Sequence, residues 1–61
     1  MLVRIDKILA ANGLGSRKDI RRLLRKEDFR LNDRRITDAG TPFDPERDVL
    51  VRNGEPLQLR T

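Results

Sequence analysis

The stretch that decides the fold is residues 16–36, "SRKDIRRLLRKEDFRLNDRRI", because its periodicity changes part-way along. Ile20, Leu23 and Leu24 recur at the spacing of one helical stripe, so a helix is expected from Arg17 to about Lys26. Ser16, followed three residues later by Asp19, has the spacing of an N-cap with an acidic first turn. From Asp28 the period falls to two. Phe29, Leu31 and Ile36 flank "NDRR", which reads as a strand, a tight turn at Asn32 and Asp33, and a short second strand.

Upstream, Ile5, Ile8 and Leu9 define a first helix over about residues 3–12, stopped by Gly13. Downstream, residues 37–48, "TDAGTPFDPERD", hold one glycine and two prolines with no steady period and are expected to be a surface connection. "DVLVRNGEPLQL" then places apolar residues on both sides of Asn53-Gly54, a strong hairpin signal, and Pro56 confines its strand to an edge or to a first position. The fold class expected is α+β, with two amphipathic helices packed on a small antiparallel sheet. There is no internal repeat.

Composition narrows the function. Sixty-one residues make one domain, and such a chain buries only about 60% of its unfolded surface. With no cysteine and no histidine, disulfides, zinc fingers and the usual transition-metal sites are excluded. The longest apolar run, residues 8–11, is far short of the roughly 20 residues that span a bilayer, and no secretory leader precedes it, so a cytoplasmic location is expected. No phosphate-binding "GxxxxGK" loop or dinucleotide "GxGxxG" fingerprint occurs, and nearly all of the carboxylates fall in loops, turns or caps, none where burial is expected to raise its pKa. Neither catalysis, a cofactor nor a small-molecule substrate is expected of these residues.

Charge is polarised. Residues 1–26 carry eight Lys/Arg against two Asp/Glu, whereas residues 27–61 carry six against eight, so the halves hold +6 and −2. With Ile20 at the origin and about 100° per residue, Arg17, Arg21, Arg25, Lys18, Arg22 and Lys26 follow one another around an arc of about 180°. Only Asp19 interrupts that face. Several cations on one rigid element can neutralise several phosphates, which gives salt-dependent binding to nucleic acid. The competing reading is a merely solvated charged face. Arg4 and Lys7 lie away from Ile8 and extend the basic surface if the helices pack side by side. Capping is expected to be the main role of Ser16, although its hydroxyl and the free amides of the helix start could also hold a phosphate. Asp6 is read as an ionic partner that orients a neighbouring arginine. Phe29 and Phe43 look like core residues, so a base-stacking platform is not expected.

Taken in order, "RIDK", "GSRKDIRRLLRK", "FRLND" and "DVLV" resemble the alpha-L RNA-binding domain named after protein S-four of the small ribosomal subunit, over residues 2 to about 52. The resemblance implies that RNA lies across the two helices, contacted by Arg4, Lys7, Ser16, Arg17, Arg21 and Arg22, with the turn at Asn32 nearby; Lys18 and Arg25 join them from the helical arc. Glu27 stands where that family commonly has a glycine, and Asp33 replaces the usual turn glycine, which adds negative charge beside the site. At a finer level "MLVRIDKILAANGLGSRKDIRRLL" and "VRNGEPL" are similar to the opening module of the A-class small-subunit pseudouridine synthases. That similarity implies a monomeric RNA-binding module of residues 1–52, with residues 53–61 as a final hairpin strand or the start of a link to a catalytic domain outside this chain. The implied partner is structured small-subunit rRNA, with no membrane involved. Alternatives are a stand-alone ribosome-associated RNA-binding protein and a helix-turn-helix DNA-binding module, since two short helices joined by a glycine-containing turn fit the latter.

Overall fold

A computed structural model describes residues 1–59; residues 60 and 61, the end of the expected final segment, lie outside the described residues. In chain order the elements are β1 (Val3–Arg4), α1 (Ile5–Ala11), α2 (Arg17–Lys26), β2 (Phe29–Leu31), β3 (Arg34–Arg35), β4 (Pro42–Phe43), β5 (Leu50–Arg52) and β6 (Glu55–Leu57). The α+β class is as expected.

The first helix ends through local chemistry. Gly13 takes φ +81° and donates to Ala10 O at 3.0 Å, while the Leu14 N–H reaches Leu9 O at 3.1 Å. This pair of bonds satisfies carbonyls that the last turn leaves open, and Leu14 folds back against the core. The second helix begins with a complete capping box: Ser16 Oγ accepts the Asp19 N–H at 3.2 Å, and Asp19 Oδ2 accepts the Ser16 N–H at 3.0 Å. It stops at Glu27, whose extended backbone (φ −106°, ψ 161°) needs no glycine.

Four strands form one antiparallel sheet in the order β3-β2-β5-β6. Asn32 (φ 50°) and Asp33 (φ 69°) form the two-residue turn between β2 and β3, and Asn53 (φ 50°) and Gly54 (φ 85°) form that between β5 and β6. Left-handed backbone at both central residues matches the twist of paired strands. Pro56 lies in the edge strand β6, where a missing N–H costs no ladder bond on the open side.

Three expectations are corrected. The first helix starts at Ile5, because Val3 and Arg4 pair antiparallel with Phe43 and Pro42 as a two-stranded ribbon, β1-β4. Residues 37–48 do more than cross the surface: they supply β4 and bury Ala39 and Phe43. Asp6 is buried, with 1% of its surface exposed, where burial of a carboxylate is not expected from the sequence. Ile36, next to β3, is buried without belonging to a strand. Ile5, Ile8 and Leu9 of α1, Ile20 and Leu24 of α2, and Phe29, Phe43 and Leu50 of the strands share a single core. Both helices therefore lie on the core-facing side of the sheet.

Candidate nucleic-acid interface

Burying Ile20 and Leu24 fixes the rotation of α2, and every one of its six cations is exposed. None of them makes an ion pair among the described residues, whereas Arg4, Arg30, Arg35 and Arg52 all do. The α2 cations are thus available to an outside anion. Arginine and lysine that are exposed and outside ion pairs present their N–H donors to an incoming ligand.

Arg21 and Arg25, one turn apart on the same row, line an open cleft of about 410 Å³ whose other wall is Arg4 and residues 37–40. Arg4 is placed there by two constraints. Its backbone is held in β1 against Pro42, and its guanidinium lies on Asp6, with Nε 3.2 Å from Oδ1 and an Nη 3.4 Å from Oδ2. The rest of that wall is set by a tight turn in which Asp38 Oδ1 accepts the Gly40 N–H at 2.9 Å. That turn also closes the start of α1: Ile5 N–H donates to Thr41 O at 2.9 Å and Asp6 N–H to Ala39 O at 3.1 Å. The free amides of this helix start are consequently engaged within the fold.

The start of α2 is closed differently. Ser16 Oγ both accepts from the Asp19 N–H and donates to Asp19 Oδ2 at 2.9 Å. The Ser16 backbone N–H and hydroxyl together hold the Asp19 carboxyl below its ordinary range. A carboxylate from within the helix therefore stands where the dipole favours an anion.

The remaining candidates fall in three places. Lys7 is exposed on α1, outside the walls of the cleft. Arg17 continues the row of Arg21 and Arg25, while Lys18, Arg22 and Lys26 occupy the outer side of α2. Asn32 is tied into the fold: its Nδ2 donates to Asp48 Oδ1 at 3.0 Å and its Oδ1 accepts the Val49 N–H at 3.4 Å. The Asn32 amide and the Asp44 N–H hold the Asp48 carboxyl below its usual range.

Glu27, which as a lone charge would repel a phosphate, is neutralised locally. Arg52 Nη2 lies 2.7 Å from its Oε2 and Asn53 Nδ2 2.9 Å from its Oε1, which lowers the Glu27 carboxyl, Arg52 contributing most. Arg52 also sits over the Phe29 ring, 5.7 Å from its centroid.

Sequence reasoning missed the cleft wall at residues 37–40. "TDAGT" carries a turn signal in its Asp-x-Gly spacing, but nothing local says that the turn docks against α1. Among the described residues no cluster of acidic side chains could hold a metal ion, and no helix is long and apolar enough to cross a membrane.

Searches of curated proteins and of solved structures each gave no match. Comparison with family models gave one, the S4 domain, over residues 3–49, which runs from β1 to the residue before β5 and takes in both helices and the cleft. A match over most of the chain, joined to two packed helices with an unpaired basic face above a small antiparallel sheet, shows that this protein belongs to the S4 domain family of RNA-binding domains.

Proposed function

We propose that the α1–α2 surface clamps structured small-subunit rRNA and presents it to a pseudouridine synthase domain that this chain does not contain. The observation that carries the RNA clamp is the set of six exposed α2 cations with no ion-pair partner among the described residues. Arg17, Lys18, Arg21, Arg22 and Arg25 contact phosphates on one side of the backbone, Arg4 completes the cleft, and Lys7 extends the surface along α1. Ser16 sets the start of α2, and Asn32 sets the turn between β2 and β3. Residues 1–52 act as a monomeric binding module, and the segment from residue 53 onward closes the sheet through β6 or begins the link to the catalytic part. The synthase assignment is supported by the similarity of "MLVRIDKILAANGLGSRKDIRRLL" and "VRNGEPL" to the opening of such enzymes.

The test is a titration of the chain against a structured small-subunit rRNA fragment and a DNA duplex of matched length, across a salt series. The expected result is preference for rRNA, with a log–log salt slope of about −0.7 to −0.9 for each phosphate engaged. Arg21→Glu with Arg22→Glu should weaken binding on the order of 100-fold while leaving circular dichroism unchanged. Equal, weak binding to both nucleic acids, insensitive to the reversal, overturns the clamp. The synthase assignment is tested separately by tritium release from 5-tritiated uridine in rRNA, using the product of the complete gene; no release overturns it.

A further inference from the structure

The sheet has a second face. Register places Arg30 of β2 opposite Arg35 of β3 and Val51 of β5. Alternation puts this row on the side away from Phe29 and Leu50, which belong to the core shared with α1 and α2. Arg30 and Arg35 are each 55% exposed, and both turn to one carboxylate: Arg30 Nε is 3.2 Å from Asp28 Oδ2, and Arg35 Nε is 4.0 Å from Asp28 Oδ1. Two guanidinium groups share one countercharge, so the cluster keeps a net positive charge. The shortest contact of each arginine to Asp28 is through Nε.

Like charges directly opposite one another weaken strand pairing, so this arrangement is unfavourable for the sheet itself. Two neighbouring guanidinium forks, that of Arg30 hydrogen-bonded to Asp28 at Nε, are suited to phosphate oxygens, which accept two parallel N–H donors. The cations of α2 project from the helical layer, which packs on the inner face of the sheet. We propose that the outer face of β2 and β3, through Arg30 and Arg35, is a second RNA-binding surface that holds a separate RNA segment opposite the one on α2. The proposal rests on the reading of α2 as an RNA clamp. The domain then bridges two stretches of RNA instead of gripping one.

The test immobilises one small-subunit rRNA hairpin, adds the protein, and measures retention of a second, fluorescent hairpin. The wild-type chain should retain the second hairpin in a salt-dependent manner. Arg30→Gln with Arg35→Gln should reduce that retention by at least about tenfold while the first hairpin is still bound within about twofold. Asp28→Asn, which removes the countercharge and leaves both arginines, should increase retention. Failure of the wild-type chain to retain a second hairpin, or equal retention by the double variant, overturns the proposal. Because β3 is an edge strand, its cations could instead serve only to discourage pairing with another chain. That outcome would appear as aggregation of the double variant with unaltered bridging, and it too overturns the proposal. Capture of the first hairpin by Arg21→Glu with Arg22→Glu reports on the α2 clamp independently, so the two readings fail in distinguishable ways.

Discussion

The starts of the two helices solve one problem in opposite ways. Each carries an aspartate in its first turn, Asp6 in α1 and Asp19 in α2. Asp19 is exposed and closes its own helix through Ser16, three residues away. Asp6 is buried, and the amides around it are closed by carbonyls of residues 39 and 41, more than thirty positions along the chain. One start is built by its neighbours, the other by the tertiary fold. The difference follows from position: α1 begins directly from a strand, Arg4 has no side chain able to accept the free amides, and the turn at residues 38–41 supplies the missing acceptors.

The comparison is sharpest at Asp6. Replacing it with alanine removes two contacts to Arg4 and leaves a void in a packed region. Because Arg4 is 57% exposed, its charge can be rehydrated, so the loss should be about 2 kcal/mol, below the upper values for charged hydrogen bonds. Urea unfolding measures this directly. An unchanged midpoint would mean that the Arg4–Asp6 pair is incidental and that the backbone bonds alone fix the start of α1.

A smaller effect is expected at the other helix. Ser16→Ala should lower stability by about 1 kcal/mol, the ordinary cost of losing an N-cap, and thermal unfolding would show it. A loss as large as that at Asp6 would contradict the view that this cap is purely local.

Acid breaks the same cap more gently. Asp19 has a folded-state carboxyl below 3.8, its ordinary value, so its contribution is present above that value and is lost as pH falls through the folded one. Glu27, lowered from 4.5, and Asp48, lowered from 3.8, act in the same direction. Stability should therefore be flat near neutrality and decline below about pH 4.5, which an acid titration followed by circular dichroism would reveal. Stability that rises on acidification in this window would exclude these carboxylates as contributors.

This contrast also explains which parts could be read from residues alone. The helix α2 was fully legible, bounds included, because its cap, its apolar stripe and its basic arc all lie within Ser16 to Lys26. The turns at Asn32-Asp33 and Asn53-Gly54 were legible because positive φ is a local demand met by local residue types. Strands β1 and β4 were not. Two residues each are too few to show a period, and their pairing brings Val3 to Phe43. For the same reason Arg4 could be named as a basic residue but not placed in a cleft, and Glu27 could be flagged as a misplaced negative charge but not matched with Arg52. The Arg30–Arg35 pair needed strand register, which a one-residue slip would abolish.

The β1-β4 ribbon carries a consequence for how the domain assembles. The turn between β5 and β6 spans two residues, and α1 and α2 are joined by a short connection, but pairing Arg4 with Pro42 closes a loop of nearly forty residues with only two rungs. The entropy of closing a loop rises with its length, by about 0.6 kcal/mol for each doubling, so this ribbon forms late and opens early. When it opens, α2 keeps its cap and its cations, while Arg4 leaves the cleft and the amides of Ile5 and Asp6 lose their acceptors together. Hydrogen exchange should therefore find those two amides exchanging in one cooperative step, more readily than the interior of α2, and slowed when RNA occupies the cleft. One wall of the cleft is thus built on a helix closed by its own neighbours, and the other depends on a long-range ribbon of two rungs.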